Sequence, residues 1–160
     1  MIVYIHGAHM SSAAFNYIRD KLPEHEFYNV EYSAMSDLED TVIKIRRELK
    51  RLGKPFKIIS HSLGGAISVR MLQEGLPVEK IVTMSSPLGG IKTPKIGGLD
   101  VKNPATSLVS SSMMQTFIPD HMIKFTNFVG QLHPTSPVFS ELHNKPFDKS
   151  KLFTVVTNFG

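Results

Sequence analysis

The pentapeptide Ser60-His61-Ser62-Leu63-Gly64 sets one serine hydroxyl between two small residues, each two positions away. The run Lys57-Ile58-Ile59 before it reads as a buried strand, and the residues after it read as a helix, so Ser62 stands where a strand turns sharply into a helix. Such a turn brings the residues two before and two after the serine against neighbouring backbone, where only small side chains fit. Ser60 and Gly64 both qualify, and the pattern departs from Gly-x-Ser-x-Gly only at its first position. A serine presented this way can attack a carbonyl carbon if a base takes its proton. The plainer reading is that Ser62 merely caps the helix. His61 is expected to pack or bond locally, pointing away from the Ser62 side chain, rather than to act as the base.

The elements that position this serine follow from the apolar pattern. Ile2 to Ile5 is a continuous apolar run, as in a parallel strand covered on both faces. Ser11 or Ser12 can cap a helix with Ala14, Phe15, Ile18 and Leu22 on one face, ended by Pro23. Phe27 to Tyr32 reads as a short strand. Ser36-Asp37-Leu38-Glu39 forms a capping box, and Leu38, Val42, Ile45, Leu49 and Leu52 then recur at helical spacing up to Gly53. Phe56 to Ser60 is the strand before the serine, and a helix from about Leu63 to Glu74 follows, closed by Gly75. Gly64 and Gly65 each cost a helix roughly 1 kcal/mol against alanine, so their place in its first turn points to close backbone approach. Ile81 to Met84 is the next strand. This alternation predicts a parallel sheet with helices on both faces and right-handed crossovers.

Three stretches together resemble the α/β-hydrolases, particularly lipases and esterases with a His-Ser-x-Gly-Gly core. The elbow around Ser62 is the first. The opening Ile2-Val3-Tyr4-Ile5-His6-Gly7-Ala8 resembles the family's strand ending in His-Gly, and Ile81-Val82-Thr83-Met84-Ser85-Ser86-Pro87-Leu88-Gly89-Gly90 resembles the strand after the elbow. The resemblance implies a three-layer α/β sandwich on a mostly parallel sheet, a minimal α/β-hydrolase fold lacking the first two strands. It implies Ser62 as catalytic nucleophile, the backbone amides of Ala8 and Leu63 as oxyanion hole, Ser60, His61, Gly64 and Gly65 as elbow and packing residues, and His9 and Met10 at the substrate rim. It also implies hydrolysis of lipid or other acyl esters through an acyl-enzyme, without cofactor or metal. Thioesterases and acyltransferases use the same elbow, and a noncatalytic binding module could keep it.

Beyond Ser85 the sequence is rich in Gly, Pro, Lys and Thr to Asn103, a long surface loop. Two short helices are predicted over 105–117 and 120–129, carrying Met113, Met114, Phe117, Ile118, Met122, Ile123, Phe125 and Phe128. They read either as the core packing of a crossover or as a lid and acyl-chain wall, so residues 85–145 form a lid-like insertion in one domain of 160 residues. Ser136-Pro137 starts a helix to about Leu142, and Lys151 to Thr157 is a final strand whose apolar content suits a buried place in the sheet.

In the resembled family the acid and then the histidine follow the last of these strands, where this sequence has only Asn158-Phe159-Gly160. One reading is a C-terminal truncation, in which the acid, the histidine, one more strand and a helix are missing; an apolar final strand would otherwise be an uncovered edge. The other completes the triad internally from Asp100, Asp120, Glu141 or Asp148 with His121, His133 or His143. No acid or base is assigned.

Composition bounds the rest. At 41% hydrophobic the chain can bury one core, and its net charge of +4 is spread out except between Lys44 and Arg51, with no basic and aromatic interleaving that would favour nucleic acid. With no cysteine it forms no disulfide. The expected partner is a small-molecule or lipid ester, with no signal peptide or membrane span visible and a cytoplasmic location by default.

Overall fold

The computed structural model of the protein describes residues 1–91, 128 and 130–156. Strand β1 (Ile2–Ile5) leads through a 3₁₀ turn (Ser12–Phe15) into α1 (Asn16–Asp20) and β2 (Phe27–Val30). Then come α2 (Leu38–Lys50), β3 (Phe56–His61), α3 (Leu63–Gln73), β4 (Val78–Met84), α4 (Pro137–Asn144) and β5 (Leu152–Val155). The five strands form one sheet in the order β2-β1-β3-β4-β5, and every neighbouring pair is parallel.

Strand order and helix placement are one fact seen twice. From β1 the chain steps outward to β2, then returns past β1 to β3 and continues to β4 and β5. With right-handed crossovers, reversing the direction of travel moves the connecting helix to the other face of the sheet. The core obeys this. Val3, Ile5, Phe56, Ile58 and Ile81 point to a large cluster shared with α2, α3 and α4, while Ile2, Tyr4, Ile59 and Met84 meet Phe15, Ile18 and Leu22 around α1 on the opposite face. The connections leaving β1 and β3 therefore run to helices on opposite faces, which makes the carboxyl ends of these two adjacent strands the switch point of the sheet, where open α/β sheets bind ligands.

Several sequence expectations shift on this frame. The first helix begins as a 3₁₀ turn, Ser11 makes no side-chain cap, and Ala14 is exposed, leaving Phe15 as the buried anchor. Helix α2 is capped by Asp37, whose side chain accepts from the Asp40 amide at 3.0 Å, one residue beyond the expected Ser36. Strand β4 begins at Val78, with a register shift opposite Phe56 and Lys57. The largest correction is β5. Among the described residues it pairs with β4 alone, and Phe153, Val155 and Val156 are 53%, 50% and 76% exposed, so the expected burial does not hold there. Only Leu152 turns towards the large core.

The predicted helices over 105–117 and 120–129 lie outside the described residues except for Phe128, which is buried in the large core. Among the described residues no helix is long and apolar enough to cross a membrane.

Candidate active site

Ser62 occupies the single residue between the end of β3 and the start of α3, with φ 51° and ψ −124°. A non-glycine residue held there stores about 1–3 kcal/mol of backbone strain, so the surrounding structure must enforce it. It does so from both sides. The Ser62 amide donates to the Met84 carbonyl at the end of β4, and its own carbonyl accepts from the Gly65 amide, each at 2.9 Å. Although Ser62 stands at the N-cap position of α3, its side chain makes no capping hydrogen bond.

The small residues around it are required by contact. A Cβ on Gly64 would overlap the Ile5 carbonyl oxygen and come within 2.6 Å of the His6 oxygen, so the first turn of α3 sits directly on the end of β1. A Cβ on Gly65 would strike the hydroxyls of Thr83 and Ser86, which are hydrogen-bonded to each other. Ser60 is fully buried beneath the turn.

The loop after β1 closes on the same point. A Cβ on Gly7 would lie 3.0 Å from Ser62 Cβ and 3.0 Å from His61 Nδ1, with Met10 Sδ at 3.3 Å. His61 therefore packs on the glycine that faces Ser62; its Nδ1 is buried without a hydrogen-bond partner among the described residues, and it makes no bond to Ser62. Ala8 is half-buried against the large core. His9 has φ 55° and sets its ring edge-on to Phe128 at 5.5 Å, while Met10 is 42% exposed. Leu63 is buried as the first residue of α3. Among the described residues neither the Ala8 nor the Leu63 amide has an acceptor.

The downstream acids and histidines are occupied elsewhere. His133 Nδ1 bonds the Thr135 hydroxyl at 2.8 Å and His143 Nε2 the Leu88 carbonyl at 3.2 Å. Asp148 caps the 3₁₀ turn Lys149–Lys151 through Ser150, and Glu141 is ion-paired to Arg70 and Lys145. Asp100, Asp120 and His121 lie outside the described residues. Among the described residues no histidine bonds the Ser62 hydroxyl, and no group of three or more acidic or histidine side chains could hold a metal.

Two features had no counterpart in the sequence reading. His6 is 1% exposed and is wrapped by Glu31 and Tyr32, which follow β2. Arg70, 2% exposed on α3, pairs with Glu39 on α2, Glu74 beyond its own helix and Glu141 on α4. Parallel pairing of Ile5 with Val30 puts His6 beside Glu31, a signal visible only once the register is known.

No known family profile matches the chain, and no curated protein does. Solved structures do. A lipase of Bacillus licheniformis in its mature form matches with a TM-score of 0.56 at 17% identity, over 97% of this chain and 63% of its own, so this chain spans less than two thirds of it. A monoacylglycerol lipase of Paleococcus ferrophilus gives a TM-score of 0.54 at 15% identity, over 98% of this chain and 83% of that one. The bottromycin epimerase BotH gives 0.56 at 14% identity, over 97% and 70%. At these identities the likeness is one of fold. With its five parallel strands, its serine between β3 and α3 and these neighbours, the chain has the fold of the α/β-hydrolase superfamily.

Proposed function

We propose that this chain carries the nucleophile and oxyanion hole of a serine hydrolase acting on carboxylic esters, with lipid or other acyl esters as the substrate class. The observation that carries the reading is Ser62 itself, held at φ 51° on the strand-to-helix turn with no capping bond made by its hydroxyl. A capping serine would accept from an amide of the first turn and sit in extended backbone. Attack by Ser62 Oγ on the ester carbonyl forms a tetrahedral oxyanion, the alcohol leaves to give an acyl-enzyme, and water releases the acid. The Ala8 and Leu63 amides take the oxyanion, each such donor being worth roughly 3 to 4 kcal/mol of transition-state stabilisation. The proton relay requires a histidine and a carboxylate, and among the described residues none bonds the Ser62 hydroxyl.

The ester preference leans on the lipase neighbours, and the epimerase neighbour marks its limit, since one fold hosts many chemistries. The test is covalent. A fluorophosphonate probe labels the full-length protein at Ser62, located by peptide mass, and Ser62→Ala abolishes labelling. Labelling unchanged in that variant would remove Ser62 from the role, and no labelling of the folded wild type would favour a binding module that keeps the elbow.

A further inference from the structure

One side chain holds the peptide between Gly7 and Ala8. His6 Nδ1 lies 2.7 Å from the Gly7 carbonyl oxygen, and because a carbonyl can only accept, Nδ1 carries the proton. Among the described residues every peptide bond is trans, and in a planar trans peptide the C=O and the following N–H point in opposite directions. A Gly7 oxygen held towards the buried imidazole therefore aims the Ala8 N–H the other way. The Gly7 position is pressed against Ser62 Cβ, so a flipped peptide would turn a carbonyl oxygen towards the nucleophile.

Resting on the serine-hydrolase reading above, we propose that His6 is a positioning residue: its Nδ1–H fixes the Gly7–Ala8 peptide so that the Ala8 amide faces the oxyanion formed at Ser62, with Tyr32 and Glu31 holding the imidazole. The ring stacks on Tyr32 at 4.4 Å and an interplanar angle of 7°. The Tyr32 hydroxyl donates to the His6 carbonyl at 2.7 Å, pinning the backbone one residue before the glycine. Burial pushes the Tyr32 phenol well above its ordinary value, so it remains a donor. Nε2 has two alternative neighbours, the Tyr32 amide at 3.4 Å and Glu31 Oε2 at 3.3 Å. Neutral His6 accepts from the amide, and protonated His6 donates to Glu31. In both states Nδ1 keeps its proton, so the hold on Gly7 survives either charge. Burial pushes the Glu31 carboxyl up, but bonds from Ser12 and the nearness of His6 outweigh it, leaving Glu31 an anion.

The test separates the donor from the ring. His6→Phe keeps a ring to stack on Tyr32 and loses the donor. His6→Asn places an amide N–H near the position of Nδ1, whereas His6→Gln reaches towards that of Nε2. With p-nitrophenyl butyrate and the full-length protein, His6→Phe and His6→Gln should lose about a hundredfold in kcat with KM within about threefold, and His6→Asn should recover at least about tenfold of that loss. Wild-type kcat in His6→Phe overturns the proposal, as does an equal loss in the Asn and Gln variants; the latter pair decides if the Phe variant does not fold. The ¹³C shift of the Gly7 carbonyl reads the same bond without turnover, and should move upfield in Phe and Gln but not in Asn. If wild type shows no Ser62-dependent turnover, the hydrolase reading fails, and with it the oxyanion role. The carbonyl shift then decides the peptide lock alone, an upfield move supporting it and no move overturning it.

Discussion

Two glycines separate steric from conformational need at the residue scale. Helix propensity favours alanine at position 64 by about 1 kcal/mol, yet the new Cβ would meet the backbone oxygens of Ile5 and His6, which cannot swing aside. Overpacking of this kind typically costs 1–3 kcal/mol, so Gly64→Ala should lower stability by about 2 kcal/mol in urea unfolding. Gly53 is the opposite case, with φ +64° and nothing within 4 Å of a Cβ. There the cost is backbone strain alone, about 1 kcal/mol. A Gly64→Ala variant as stable as wild type would mean that α3 is not seated on β1 as described. The steric need for small residues at 60, 64 and 65 was legible because Ser60, Gly64 and Gly65 fall within one short stretch whose geometry is local. The wrapping of His6 was not, because Tyr32 is 26 residues away and reaches it only through the pairing of β1 with β2.

Between elements, one buried cation joins three helices. Arg70 extends from α3 to Glu39 at 3.3 Å, Glu74 at 3.3 Å and Glu141, while Arg46 and Lys145 neutralise the outer sides of Glu74 and Glu141. The cluster borders a cleft of about 340 Å³ that none of the residues around Ser62 lines. Removing the cation leaves carboxylates facing one another, so Arg70→Met should destabilise the fold by about 3 kcal/mol at neutral pH. Burial pushes the Glu74 carboxyl up, but bonds from Arg46 and Lys145 outweigh it, and the Lys145 bond chiefly draws Glu141 down; both titrate below the ordinary 4.5. A depressed carboxylate stabilises fully above its unfolded value and loses that contribution as pH falls through its folded value. Wild type should therefore weaken below about pH 4.5, and the gap between it and Arg70→Met should narrow there, as chemical denaturation at pH 7 and pH 3.5 would show. A constant gap would mean that Arg70 acts by packing alone. The spacing of Leu38, Val42, Ile45 and Leu49 gave α2 its buried face in advance, and all four are buried. It could not reveal that α2, α3 and α4 share a charge, since Arg70 read alone is an ordinary helix residue.

For the whole molecule, the alternation of strands and helices made the parallel sheet legible, whereas the reversal of the chain's direction after β2, which sets the strand order, was not. The exposure of Phe153 and Val155 was not legible, because apolar content alone does not say what covers a strand. Phe153 and Val155 point to the face that α1 covers elsewhere, beside Val82 and Met84 of β4, with the Lys80 ammonium 5.2 Å from the Phe153 ring. A strand paired on one side among the described residues and apolar on an exposed face is suited to receive a further strand. Val155→Lys should change stability by less than about 0.5 kcal/mol in urea unfolding if that face stands open, and by clearly more if a further element covers it. Left uncovered, such a rim would make handling a matter of colloid science, with shelf life and the concentration at which the solution clouds set there rather than in the well-packed centre around Phe56 and Ile58.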